Sequence, residues 1–189
     1  MIWTTTPWTL PANQAITASS DLEYAVVKTD QGHFIVAYNL LADLMSVFGI
    51  DNYSVVATVT GDALTTLHAQ HPLIAERQVP LITGEHVTAD SGTGLVHTAP
   101  AHGVDDYIVG KKFNLPTENP VAGNGVYLPE AQVFVGEHIY KAQPKIIETL
   151  QQTGHLLKHD VIKHSYPHCW RHKTPIIFRS TPQWFINMD

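Results

Sequence analysis

One cysteine, Cys169, stands in 189 residues, so no disulfide can form within the chain and a reducing compartment suits it. No run of about 18 apolar residues occurs, and the N-terminus lacks a basic segment followed by an apolar core. Membrane insertion and secretion are therefore not expected; the cytoplasm is. Charged residues are sparse at 15%, and only four of the eleven basic side chains fall before residue 138, against fourteen acids. With a net charge of −6, the chain is a poor candidate for gripping nucleic acid by bulk electrostatics. Repeats and low-complexity linkers are missing too.

What is present is a globular composition. With 44% hydrophobic residues the chain can bury one sizeable core, as one domain spanning 1–189. Its charge is uneven. Residues 138–189 hold seven basic and three acidic side chains and six of the twelve histidines, so the last quarter is locally cationic. That face would either meet a phosphate backbone or be an ordinary solvated surface.

Apolar residues alternate with period two through the first half. YAVVKT at 24–29 and HFIVAY at 33–38 flank Asp30-Gln31-Gly32, which predicts a hairpin. Asn39 is placed to cap a helix over LLADLMSVF that stops at Gly49. YSVVATVT at 53–60, QVPLITG and GLVHTA read as strands, DDYIVGKKF as a short helix, and KAQPKIIETLQQTG as a longer one ending at Gly154. Strands are also expected around DVIKHSY, PIIFRS and QWFINM. Many short strands with few helices favour a mixed α/β, β-dominated fold, with a closed β-barrel-like core and peripheral helices, over a doubly wound parallel sheet.

Three stretches offer chemistry. In MIWTTTPWTLPAN, three hydroxyls stand between two tryptophans; β-branched residues suit a helix poorly, and Pro7 and Pro11 bar a continuous ladder, so an irregular strand is expected. In GTGLVHTAPAHGVDDY, His97, His102, Asp105 and Asp106 lie within ten residues broken by glycine and proline. There a carboxylate either caps a helix or waits in a pocket for a cationic amine. Gly92-Thr93-Gly94 lacks the third glycine and the long helix of a nucleotide fingerprint. In HSYPHCWRHKTP, His164, His168, Cys169 and His172 supply metal-ligand types without a CxxC knuckle, so neither metal nor catalytic thiolate is expected. Trp170-Arg171 is a stacking candidate or a core aromatic.

Those same stretches carry a resemblance that covers the whole chain. TTTPWTLPAN, GTGLVHTAPAHGVDDY and SYPHCWRHKTPIIFRSTPQWF resemble the editing domain, the connective-polypeptide insertion, of bacterial-type isoleucyl-tRNA synthetases. Valyl and leucyl relatives read Thr-Arg-Pro at the first motif, and this chain has no arginine there. It also lacks the HIGH-like and KMSKS-like signatures of the ATP-binding domain, so an excised domain that does not activate amino acids is expected.

The resemblance implies hydrolysis of valine mischarged onto the 3'-terminal adenosine of tRNA(Ile), with valyl-adenylate as a further candidate and the rest of a parent synthetase acting in cis. It places Asp106 on the substrate's α-ammonium. Thr4, Thr5 and Thr6, with Thr9 and Asn13, fall on the adenosine and the attacking water, His97 forms the wall that stops isoleucine, and Trp3 is a base or backbone contact. No cofactor and no metal are implied. The alternatives are a non-catalytic module docking the tRNA acceptor end and a free-standing deacylase.

Overall fold

A computed structural model describes residues 1–90, 92–163 and 165–188. The period-two stretches form the predicted hairpin. β2 (Glu23–Thr29) pairs antiparallel with β3 (Gly32–Ala37), Thr29 opposite Gly32, leaving Asp30-Gln31 as the turn. Gly32 closes it at φ +121°, a region a side chain would resist. The first strand of the chain, β1 (Ala15–Ala18), belongs to the other sheet.

α1 (Leu41–Phe48) follows β3 and ends where Gly49 turns left-handed at φ 66°. Leu41 and Met45, one turn apart, bury with Ile50 against Ala25, Val27 and Val36 of the hairpin. Asn39 does not cap it. A 3-10 turn over Tyr38–Leu40 runs straight into the helix, and Leu40 occupies the cap position without a side-chain bond. β4 (Tyr53–Thr60) pairs with the other edge of β2, completing a three-stranded sheet of order β3-β2-β4.

After a short helix, α2 (Gly61–Leu64), come β5 (His68–Gln70), β6 (Gln78–Thr83) and β7 (Val96–Thr98). They form a four-stranded sheet of order β5-β6-β1-β7. β1 runs parallel to β6 and antiparallel to β7, with Ile16 opposite His97. Ala18, Tyr24, Ala37, Leu64, Leu81 and Leu95 form the core between the sheets. The Tyr24 hydroxyl fastens it, accepting from Ser19 N–H at 2.8 Å and donating to the Gly94 carbonyl at 2.7 Å.

The fold is thus mixed α/β and rich in strands, as expected. Among the described residues, however, the ladders form two open sheets, and none closes either into a barrel.

α3 (Val104–Lys112) and α4 (Ile139–Gln152) complete the architecture. Ile139, Ala142, Ile146 and Leu150 recur at helical spacing on α4 and pack on Trp8, Leu10 and Tyr127. The strands expected near the C-terminus do not form among the described residues: His168 bridges Pro175, and Val161 and Trp184 are 86% and 100% exposed. An apolar run becomes a strand only where a partner edge meets it. His164, within DVIKHSY, lies outside the described residues. No helix among the described residues is long and apolar enough to cross a membrane.

Candidate functional site

The proline half of the run departs from the irregular strand expected, while Thr4–Thr6 stay irregular. Pro7–Ala12 forms a 3-10 helix, with Pro7 at its first turn where a missing N–H costs nothing. Distant groups tie down its carbonyls. Trp8 O accepts from the Tyr127 hydroxyl, Leu10 O from His71 Nε2–H at 2.9 Å, and Pro11 O from Arg77 Nη1 at 3.0 Å. His71 is buried, and its Nδ1 accepts from the N–H groups of Leu73 and Ile74. Burial lowers its pKa to about 4, so it serves as a neutral strut.

The rigid helix presents Thr9 to β7. Asn13 Nδ2 lies 2.8 Å from the Ala15 carbonyl and 2.7 Å from His97 Nδ1. Only an amide NH2 can face a carbonyl, so Asn13 donates and Nδ1 accepts. The ring proton therefore sits on Nε2, which donates to Thr9 Oγ1 at 2.8 Å; Thr9 in turn donates to the Thr6 carbonyl at 2.8 Å. Asn13, His97, Thr9 and Thr6 thus form a hydrogen-bonded chain with one direction of donation throughout. Thr9, Asn13 and His97 are each buried to 5% exposure or less. Burial, with His71 and His102 nearby, lowers the His97 pKa to about 3. Its imidazole is neutral with both nitrogens occupied, suited to forming a wall and not to abstracting a proton.

Thr4, Thr5 and Thr6 precede this lattice. Thr5 is exposed, Thr4 and Thr6 are half-buried, and Thr4 Oγ1 accepts from Thr6 N–H at 3.1 Å. Trp3 runs alongside β7 as a parallel bridge to Val96, its N–H donating to Leu95 O at 3.0 Å. Gly92 permits the approach of the Trp3 ring: at φ +74°, a Cβ there would lie 2.9 Å from Trp3 Cγ. Trp3 as a whole stays 39% exposed.

Asp106 enters from α3. Its Oδ2 accepts from Ala99 N–H at 2.9 Å, which ties it to the backbone two residues along the chain from His97. Burial raises its pKa, while the Ala99 N–H and His86 oppose that shift. A Cβ on Gly103 would stand 3.0 Å from the Asp106 Cγ, so that glycine keeps the space clear. Asp105 is exposed and does not cap α3, whose cap position is Gly103 with no side-chain bond. Asp105 instead faces a cleft of about 270 Å³ with Thr83, His86, Ile108 and Lys112.

Trp3, Thr4, Thr5, Thr6, Thr9, Asn13 and His97 therefore form one neighbourhood, and Asp106 joins it through Ala99. Of the other cluster, His164 lies outside the described residues; His168 Nδ1 donates to Tyr166 O at 2.7 Å and Cys169 Sγ lies 3.4 Å from His172 Nδ1. No group of three His, Cys, Asp or Glu side chains among the described residues could hold a metal. Arg171 stacks over Trp170 at 4.8 Å, and that ring is 74% exposed, not a core aromatic. Sequence reading missed His71, Arg77 and Tyr127, which support the 3-10 helix from far along the chain.

Residues 51–161 match the family model of the leucyl-tRNA synthetase editing domain. The chain belongs to the synthetase editing-domain family. Over its whole length this editing domain is 65% identical to an isoleucine--tRNA ligase of Psychrobacter arcticus, 59% to one of Acinetobacter baylyi and 55% to one of Alkalilimnicola ehrlichii. It spans 20% of the length of each. The crystal structure of GlLeuRS-CP1 shares the fold at TM-score 0.63 and 14% identity, over 87% of this chain and 83% of that one.

Proposed function

We propose that this editing domain hydrolyses the ester of valine mischarged onto tRNA(Ile), and that residues 1–189 act as one unit of a larger synthetase. An isoleucine-activating site cannot reject valine strongly, because a missing methylene is worth only about 1–3 kcal/mol, an established magnitude for this enzyme family and not one derived from these residues. A second site has the opposite task. It must admit valine and exclude isoleucine by bulk, since overpacking a rigid wall costs more than an unfilled gap.

The observation that carries this reading is the His97 lattice, together with Asp106 bonded to the Ala99 amide two residues further along the chain. A neutral, doubly bonded imidazole is an immobile wall, and being uncharged it does not repel the substrate's ammonium. Asp106 Oδ1 is the anion that receives that ammonium. Water attacks the ester carbonyl, the carbonyl–oxygen bond breaks, and the proton passes to the departing ribose oxygen to give free valine and deacylated tRNA. An aminoacyl ester is reactive enough that orientation by Thr4, Thr5 and Thr6 and by the ribose hydroxyl suffices. Valyl-adenylate presents the same ammonium and side chain and is the second candidate substrate.

The test is deacylation of valyl-tRNA(Ile) and isoleucyl-tRNA(Ile) by the 189-residue chain. Hydrolysis of the first and sparing of the second is expected. Binding of tRNA without hydrolysis of either would replace this reading with acceptor-end docking.

A further inference from the structure

The loop from Ala99 to Gly103 is held from outside the site. His102, 8% exposed, donates from Nδ1 to the Phe178 carbonyl at 2.9 Å, and Ser180 N–H donates to the Ala101 carbonyl at 2.8 Å. The far side of residues 178–180, the strap, is held as well. Arg179 Nη1 donates to Val121 O at 2.8 Å, and Asn119 Nδ2 to Ser180 O at 3.1 Å. Residues 178–180 are thus stitched down on both sides, while beyond them Trp184 and Phe185 are 100% and 88% exposed.

His102 also reaches the catalytic side. Its ring stands edge-on to Trp8, with centroids 5.0 Å apart and planes at 75°, and Trp8 lies one residue before Thr9 in the 3-10 helix. The loop it holds supplies the Ala99 N–H that fixes Asp106. One imidazole therefore touches strap, loop and helix together. Because Nδ1 carries the proton, Nε2 is an acceptor, and it is buried with no partner. A buried acceptor left without a donor is destabilising, so packing alone is a poor reason to keep it.

We propose that His102 is a positioning residue of the editing reaction, clamping the strap 178–180 to the loop 99–103 so that Asp106 and the Thr9 helix keep their mutual placement. The proposal rests on the editing reading above for its kinetic consequence, though not for the clamp itself. Phenylalanine at this position retains the edge-on packing and loses the N–H; asparagine retains a donor near the Nδ1 position and loses the ring.

The experiment measures hydrogen exchange at the Ala99 amide and deacylation kinetics on valyl-tRNA(Ile), with far-UV circular dichroism to establish folding. For His102→Phe, exchange at Ala99 should quicken and kcat should fall, each about tenfold, the scale of one neutral hydrogen bond, with KM little changed. His102→Asn should restore both. If His102→Phe does not fold, Ser180→Pro, which removes the strap's bond to Ala101 O, should give the same two changes. Unaltered Ala99 exchange in a folded His102→Phe or Ser180→Pro protein overturns the clamp, as does failure of His102→Asn to restore it. Absence of hydrolysis by the unmutated chain would refute the editing reading and leave the exchange measurement to decide the clamp.

Discussion

His97 Nδ1 lies 2.7 Å from Asn13 Nδ2, and His97 Nε2 lies 2.8 Å from Thr9 Oγ1, so a histidine from β7 is held at both nitrogens by the segment that carries the threonines. That one relationship sets the tautomer, the charge and the position of the ring. It also makes the ring's replacement, its partners' replacement and its protonation separately observable.

Thr9→Val keeps the shape of the side chain and removes the hydroxyl that stands between His97 and the Thr6 carbonyl. The buried Nε2–H is left without an acceptor, and a loss of about 1–3 kcal/mol of stability is expected. Urea denaturation measures it. Thr9→Ser should lose less, because the relay survives.

His97→Ala removes the wall while leaving Asp106 and the threonine run in place. Isoleucyl-tRNA(Ile) should then be hydrolysed at a rate approaching that of valyl-tRNA(Ile), in an assay of both esters side by side. Continued rejection of isoleucine by a folded variant would move the gate to another residue.

Stability should fall on acidification through a window set by two buried histidines. His97 and His71 have folded pKa values lowered to about 3 and about 4, below an unfolded value near 6.5. Between those limits the unfolded chain binds more protons than the folded one, so their contribution is complete above about pH 6.5 and is lost as pH falls to about 4 for His71 and about 3 for His97. The urea midpoint should drop between pH 7 and pH 5. His71→Gln, which retains a donor for the Leu10 carbonyl, should flatten part of that slope.

The local elements were legible in the sequence. The hairpin, α1 and β4 follow from alternation, a two-residue turn and a left-handed glycine, all decided within about ten residues of chain. PIIFRS is also apolar-rich but is held by single bridges and side-chain bonds and forms no strand ladder, and QWFINM lies largely exposed; composition does not say which edges are available. The Pro7–Ala12 part of the run was misjudged because its 3-10 helix is stabilised by Tyr127, His71 and Arg77, which lie 119, 61 and 66 residues from the carbonyls they hold. No local pattern announces such partners. Trp3, the threonines, Asn13, His97 and Asp106 were named through the family resemblance, and the hydrogen-bonded chain joining four of them, Asn13, His97, Thr9 and Thr6, became visible only in three dimensions.

In the proposed reaction the Asp106 carboxylate receives the substrate's charge. Asp106→Asn preserves the acceptor for Ala99 N–H and removes the charge, so the fold should survive. The most direct measurement is a two-by-two comparison: the unmutated chain and Asp106→Asn, each with valyl-tRNA(Ile) and with N-acetylvalyl-tRNA(Ile), whose nitrogen carries no charge. Asp106→Asn should slow hydrolysis of the valyl ester about a hundredfold, the scale of losing a buried charge partner, and leave the acetylated ester, already a poor substrate, unaffected. Equal sensitivity of the two esters to the substitution would contradict a role for Asp106 as the ammonium's partner.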